Sequence, residues 1–283
     1  MPQDVIFYYA KVFPKLKEFL GKREIATKTK LKDFEVLKRG SNKEPLYIDE
    51  LVKGVNKKFL ELRKGNTHLK DVREKLTKTQ IKIWEYFVPR KLIEMHYAVN
   101  HEGKNKPLWR IYFDIDRKDL PAEKAQKVAL ALIKIIIKDK TFNKFNKIFP
   151  LWTGNSFHIY VLLKKPISHA YYEKYIHIDP KNPESSFTGR WIKQINMEFK
   201  EIAVSGGHEK EKGRIIIDPS QSPSGKIGRA PFSLYIKNYS SPGGYALPLS
   251  INDLENRNLI KELRSYTQEE IIRNIDNLAK NLA

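Results

Sequence analysis

Asp114 and Asp116 stand two residues apart in a run, 109–116, that alternates as a strand does. Ile111, Phe113 and Ile115 fall on one face; Tyr112, Asp114 and Asp116 fall on the other. Carboxylates at this spacing point to one side, roughly 6–7 Å apart at the backbone. Two like charges that close raise the free energy unless a cation lies between them or one takes a proton. Mg²⁺ or Mn²⁺ suits the position, since both prefer carboxylate oxygen and leave places open for phosphate oxygens. Taken alone, an Asp-x-Asp also fits an ordinary solvent-facing strand edge.

Three further groups carry chemistry. Ser156 and His158 alternate with Phe157 and Ile159, so they share a strand face from which a ring N–H and a hydroxyl can meet phosphate oxygens. A half-exposed strand histidine without a task fits equally. Asp218 closes the apolar run 215–217 and precedes Pro219. A carboxylate at the mouth of a buried strand suits a third metal ligand, or the group that polarises an attacking hydroxyl. Asp before Pro is also a common way to start a turn. Arg229, Ser233 and Lys237 follow within twenty residues of Asp218, as candidate partners for triphosphate oxygens. Lys226 follows a glycine, but lacks the glycine spacing and the Ser/Thr of a phosphate loop.

These residues need a scaffold. After the 109–116 strand, Pro121 opens a helix to about residue 140, with Asp119 as its expected cap. Two apolar runs, 148–152 and 157–163, flank Thr153-Gly154-Asn155-Ser156 and predict a hairpin. Strand, helix and hairpin make half of a small α/β sandwich of the RRM-like kind, with one sheet face open to a partner. The first hundred residues read as mainly helical and Lys-rich. Residues 171–201 read as two helical pieces, 214–218 as a strand and 232–237 as a shorter one. Residues 251–283 form a near-neutral helical tail. The expected organisation is a motif-bearing α/β core over 106–250, preceded by a helix-rich part over 1–105, and then the tail.

The chain carries 53 Lys and Arg against 33 Asp and Glu, a net charge of +20. A field of that sign favours a polyanion, nucleic acid or an anionic membrane face, and also fits a heavily solvated or heat-adapted surface. There is no cysteine, which excludes disulfides, thiolate zinc sites and cysteine nucleophiles. The N-terminus lacks the layout of a signal peptide, and the most apolar stretch, 128–137, is interrupted by Lys134 and too short for a bilayer. The expectation is a soluble, cytoplasmic protein without a membrane partner.

The ordered set (Asp-x-Asp on a strand, helix and hairpin, Ser-x-His, apolar-Asp) resembles the three motifs of the archaeo-eukaryotic primase superfamily. Tyr8-Tyr9 followed by Arg23-Glu24-Ile25-Ala26 is similar to signatures near the start of archaeal primase small subunits. The run 229–237, Arg-Ala-Pro-Phe-Ser-Leu-Tyr-Ile-Lys, is similar to that family's Arg-x-Pro-x-Ser-Leu-His-x-Lys element. The resemblance covers about residues 8 to 250. It implies an α/β primase-polymerase core, in which Asp114, Asp116 and Asp218 hold two Mg²⁺ or Mn²⁺ ions. It gives Ser156, His158, Arg229, Ser233 and Lys237 the triphosphate. Arg23 and Glu24 match a family signature, and a helix-surface ion pair fits them equally. The implied activity is template-dependent transfer of nucleotides from NTPs or dNTPs to a 3′-hydroxyl on single-stranded or primer-template DNA. Implied companions are a primase large subunit, a ligase or another replication or repair protein.

Two departures stand out. Tyr235 occupies the place of the family's His, and the family's Cys/His zinc knuckle is missing, so no zinc is expected through cysteine. The pattern therefore fits a reduced, stand-alone primase-polymerase, or one like the polymerase domain of bacterial end-joining ligases. Two other classes stay open. One is a Mn²⁺-dependent nucleotide-sugar glycosyltransferase, which also uses Asp-x-Asp but does not account for Ser-x-His. The other is a catalytically silent nucleic-acid-binding scaffold.

Overall fold

A computed structural model of the 283-residue chain describes residues 4–31, 34–199, 202–206, 212–237 and 242–282. The elements run α1 (Ile6–Leu20), β1 (Glu24–Lys30), β2 (Glu35–Lys38), β3 (Leu46–Tyr47), α2 (Ile48–Gly54), α3 (Lys57–Gly65), α4 (Lys78–Tyr86) and β4 (Ile93–Ala98). Next come β5 (Leu108–Asp116), α5 (Ala122–Lys138), β6 (Phe145–Trp152), β7 (Phe157–Ile167), α6 (His169–Tyr175) and α7 (Phe187–Glu198). The remainder is β8 (Ala203–Gly206), β9 (Arg214–Asp218), β10 (Ile227–Arg229), β11 (Leu234–Ile236), β12 (Pro242–Tyr245), β13 (Leu247–Pro248), α8 (Leu259–Ser265) and α9 (Gln268–Ala279).

The chain divides into two compact units that do not follow chain order. Unit 1 comprises residues 1–98, 227–246 and 266–283; unit 2 comprises 99–226 and 247–265. The helical tail is shared out accordingly, α8 to unit 2 and α9 to unit 1.

Unit 1 is not only helical. It also holds an antiparallel sheet in the order β10-β4-β1-β2, with β3 added to β1. Strand β1 reads Glu-Ile-Ala-Thr-Lys-Thr-Lys, and its Lys-rich polar face hides the strand alternation from a composition-based reading. Ile25 and Thr27 pair with Tyr97 and Met95 on the apolar face. Helix α1 lies against that face: Tyr9 donates to the Ile93 carbonyl at 2.8 Å, and Phe19 meets Tyr97 edge-on. The opposite face is polar, with Lys28 opposite Glu94 and His96 between Ala26 and Arg229. In α3, Phe59 and Arg63 turn inward; buried Arg63 pairs with Asp4 at 2.7 Å and lies over the Trp84 ring.

Unit 2 carries the expected β5-α5-β6-β7 succession in a sheet ordered β13-β6-β7-β5-β9-β8. Its pairings are antiparallel except β8 with β9. The apolar face of β5 (Ile111, Phe113 and Ile115) is fully buried, with α5 against it and Phe113 packed edge-on against Trp191 of α7. One local expectation is corrected. Pro121, not Asp119, occupies the N-cap of α5, and no side chain caps that end. The Asp119 carboxylate instead accepts the Gly213 N–H at 3.2 Å, tying the start of α5 to the turn before β9. Among the described residues no helix is long and apolar enough to cross a membrane.

Candidate active site

Strand register brings the distant chemical residues of unit 2 into one row. Asp114 on β5 stands directly opposite His158 on β7 and directly opposite Asp218 on β9. Residues opposite one another in antiparallel strands project from the same face, with Cα atoms roughly 4.5–5.5 Å apart. His158, Asp114 and Asp218 therefore line up across three strands, on the face away from α5 and α7. Asp116 lies two residues further along β5 on the same face, opposite Ile216. The Asp114 and Asp116 side chains are 42% and 44% exposed, open enough for a ligand to reach them, while Asp218 and His158 are buried.

Each member of the row is held by a neighbour. Nδ1 of His158 lies 2.6 Å from the Tyr112 hydroxyl, and its Nε2 lies 3.5 Å from Oδ1 of Asp114. Asp218 accepts the Ser220 N–H at 2.8 Å and the Ser220 hydroxyl at 2.9 Å. Beside it, burial pushes the Tyr172 phenol far above its ordinary range, and the charges of Glu173 and Asp218 push the same way. Tyr172 thus keeps its proton and donates it to the Pro219 carbonyl at 3.0 Å. Asp116 accepts the Lys118 N–H at 2.9 Å and pairs with Lys118 Nζ at 2.6 Å. Lys118 does so at φ +49°, a left-handed conformation that an L side chain adopts only at a cost of about 1–2 kcal/mol.

Ser156, expected to face phosphate, has its hydroxyl buried and donating to the Ile115 carbonyl. It therefore closes the hairpin turn onto the end of β5. Arg117 acts on the same turn, donating through Nε to the Asn155 carbonyl at 2.9 Å and through Nη2 to Asn155 Oδ1 at 2.7 Å.

Sequence reading misses the supporting residues, whose partners are remote in the chain. Ser222 clamps the backbone of Tyr112, accepting its N–H at 2.9 Å and donating to its carbonyl at 3.0 Å. Asn100, fully buried, donates to the carbonyls of Arg110 and Ser222 and accepts the N–H groups of Trp109 and Arg110. These bonds extend the β5–β9 pairing past Pro219 and so fix where Asp218 stands. Only Tyr112 left a trace in the sequence, by alternating onto the face of the two aspartates.

The donor set fits a hard divalent cation: three carboxylates, all oxygen, two of them opposed in register. The Asp116 carboxylate is turned against Lys118. Among the described residues no three His, Cys, Asp or Glu side chains are gathered as a ready-made metal cluster. Binding a cation with all three aspartates entails releasing Lys118.

The remaining candidates belong to unit 1. Arg229 pairs with buried Glu94 at 3.1 Å and donates to the Leu234 carbonyl at 2.7 Å. The Ser233 hydroxyl is fully buried; it accepts the Met95 N–H at 2.8 Å and donates to the Leu234 carbonyl at 2.9 Å. Lys237 is exposed just after β11. Arg23 and Glu24 lie at the start of β1, not on a helix, so the helix-surface ion pair does not form. Arg23 donates to the Leu20 carbonyl, and Glu24 is buried with Oε2 lacking a hydrogen-bond partner among the described residues. His96, which the sequence did not single out, is buried next to Arg229 with Nδ1 likewise unpartnered.

No protein-family model and no curated protein sequence matches the chain. Among solved structures, the fold is similar to the polymerase domain of Ligase D from Mycobacterium tuberculosis, determined in complex with DNA. The TM-score is 0.61 at 15% identity, over 97% of this chain and 88% of that one. A likeness over nearly the whole of both chains shows that the two share a mixed α/β fold.

Proposed function

We propose that this chain is a template-dependent nucleotidyltransferase, a primase-polymerase that adds NTPs or dNTPs to a 3′-hydroxyl on DNA. The observation that carries the reading is the row His158–Asp114–Asp218 across β7, β5 and β9, with Asp116 beside it. The similarity to a polymerase domain solved with DNA supports the same class.

Asp114, Asp116 and Asp218 would hold divalent ions, Mg²⁺ or Mn²⁺, which supply charge that activates a hydroxyl and neutralises a leaving pyrophosphate. The chain's own residues do the positioning. The Tyr112 hydroxyl lies at hydrogen-bond distance from Nδ1 of His158; with Tyr112 as the donor, Nε2 would carry the proton beside Asp114, where a nucleotide phosphate could accept it. Tyr172 and Ser220 hold the Asp218 segment, so its carboxylate meets the substrate without rearranging. Arg229 and Lys237 are proposed as further phosphate ligands. Ser156 and Ser233 serve better as braces, since each hydroxyl already donates to a backbone carbonyl.

The test is incubation with single-stranded template, with and without primer, labelled NTPs or dNTPs, and Mg²⁺ or Mn²⁺. Metal-dependent incorporation that disappears in Asp114→Ala/Asp116→Ala is expected. Incorporation by that double variant, or turnover of a nucleotide sugar by the wild type, would overturn the assignment.

A further inference from the structure

Unit 1 carries a surface that the proposed reaction does not use. Between residues 57 and 78, Lys57, Lys58, Lys64, Lys70, Arg73 and Lys78 are all exposed, against three exposed acids on the same stretch. None of these six makes an ion pair or a side-chain hydrogen bond with the described residues. That contrasts with nearby Lys82, whose Nζ is held by Glu44 and Glu50.

Helix stability does not explain the placement. Both α3 and α4 begin with lysine and carry no acid in the first turn. A helix N-terminus favours negative charge, so Lys57, Lys58 and Lys78 sit where they oppose the macrodipole. Core packing does not explain it either, because Phe59 and Arg63 supply the inward face of α3. Next to α4, Arg73 and Lys78 also border a cavity of about 450 Å³, whose lining includes Lys43, Glu44 and Glu85, so the free cations of the patch stand beside it rather than being neutralised in it.

The chemistry of the patch selects its partner. A helix that lies on a membrane shows large apolar side chains outward. The large apolar side chains exposed among the described residues are Phe34, Val88, Trp109, Ile137 and Met197, none of them on this stretch. Protein interfaces are depleted of lysine at their centres. A surface of long, flexible point charges without base-reading geometry suits a phosphodiester backbone.

We propose that the outward face of α3, the following turns and the start of α4 form a nucleic-acid anchoring surface that grips backbone phosphates without sequence preference. This deepens the proposed function by naming where the polyanion is held, yet it is tested without nucleotide or metal.

The experiment measures binding of a short labelled DNA duplex, and of a single strand of the same length, by fluorescence anisotropy across a salt series. The variant is Lys57→Gln/Lys58→Gln/Lys64→Gln/Arg73→Gln/Lys78→Gln, with the α3 triple Lys57→Gln/Lys58→Gln/Lys64→Gln as a milder form. The control changes five exposed cations of unit 2: Lys138, Lys140, Lys165, Lys261 and Arg264. Circular dichroism checks that each variant folds. Each backbone phosphate that the protein no longer neutralises flattens the slope of log K against log salt by about 0.9. The quintuple variant is expected to lose at least about 2 from that slope and at least tenfold in affinity at low salt. The triple should fall between it and the wild type. Whichever probe shows the larger loss identifies duplex or single strand as the preferred form.

An equal loss in the control set, or an unchanged slope in the quintuple variant, would overturn the proposal. So would phosphatidylserine vesicles that bind the wild type as tightly as DNA and are released by the same changes. The assay contains neither nucleotide nor metal, so a failure of the catalytic reading leaves this result standing.

Discussion

The Tyr112 hydroxyl and His158 Nδ1 meet at 2.6 Å on the face of the unit 2 sheet away from α5 and α7, and the far nitrogen of the same ring faces Asp114. With Asp114 as an acceptor, the proton belongs on Nε2, and Tyr112 is the donor that keeps it there. Tyr112→Phe should let the ring populate both tautomers, visible in the ¹⁵N shifts of His158 at a pH where the ring is neutral. Nucleotide incorporation should fall about fivefold, the worth of one neutral hydrogen bond of about 1 kcal/mol. Unchanged shifts would show that another group sets the tautomer.

The opposition of Asp114 and Asp218 predicts a trade between stability and activity. Two carboxylates facing each other in register repel, and neutralising one relieves that repulsion. Asp218→Asn keeps an oxygen for the Ser220 N–H and an amide for its hydroxyl. With chelator present, this variant should melt about 2 °C above wild type, for roughly 0.5–1 kcal/mol of relief. It should also lose incorporation. A lower melting temperature in chelator would mean that the facing pair is not a source of strain.

How far the sequence spoke depends on the range of each interaction. Period-two alternation in β5 and the hairpin is local, so the face shared by Asp114 and Asp116, and the hairpin carrying His158, could be read directly. Nothing local says that β9 pairs antiparallel to β5 at the position that sets Asp218 against Asp114; the family resemblance implied only that Asp218 joins the other two aspartates, not the pairing that brings it there. Asn100 and Ser222 were invisible because their role consists of bonds to partners scattered along the chain. The unit 1 sheet was missed for the opposite reason, its strands being short or Lys-rich and closed by β10, far along the chain. Ser156 and Ser233 show that a hydroxyl's type and position do not reveal where its proton points.

Asn100 supplies a direct test of the braces. Its side chain makes four hydrogen bonds to backbone groups on two segments, and it is fully buried. Asn100→Ala strands these groups and should cost on the order of 3 kcal/mol, or roughly 6–12 °C in melting temperature. A loss below about 1 kcal/mol would mean that water replaces the amide readily.

His96 predicts the acid limit of unit 1. Burial lowers its pKa well below the ordinary histidine value; the positive charges of Arg229, Lys28 and Lys30 act in the same direction and the Glu94 backbone slightly against it. A histidine depressed in the folded state contributes its full stability above the unfolded pKa of about 6.5 and loses it as the pH falls toward the folded value. Thermal melts should therefore drop as pH falls below about 6.5, and His96→Gln should flatten that drop. An identical decline in the variant would assign the acid sensitivity to other groups.

The Glu94–Arg229 pair lets the bracing role of Arg229 be tested apart from its proposed role in holding triphosphate. Glu94 is almost wholly buried, and it accepts both the Arg229 guanidinium at 3.1 Å and the Ile236 N–H at 2.8 Å. Arg229→Met leaves that carboxylate without its cation, which should cost about 3–5 kcal/mol. Glu94→Gln in the same chain removes the stranded charge and keeps an oxygen for Ile236, so the double variant should recover most of the stability. Any rise in KM for nucleotide that persists in the refolded double variant belongs to the lost guanidinium itself. If Arg229 holds triphosphate as proposed, KM should rise at least about tenfold there, the effect of removing one charge-assisted hydrogen bond of roughly 1.5–3 kcal/mol. A double variant with wild-type KM would restrict Arg229 to bracing β10 against β4.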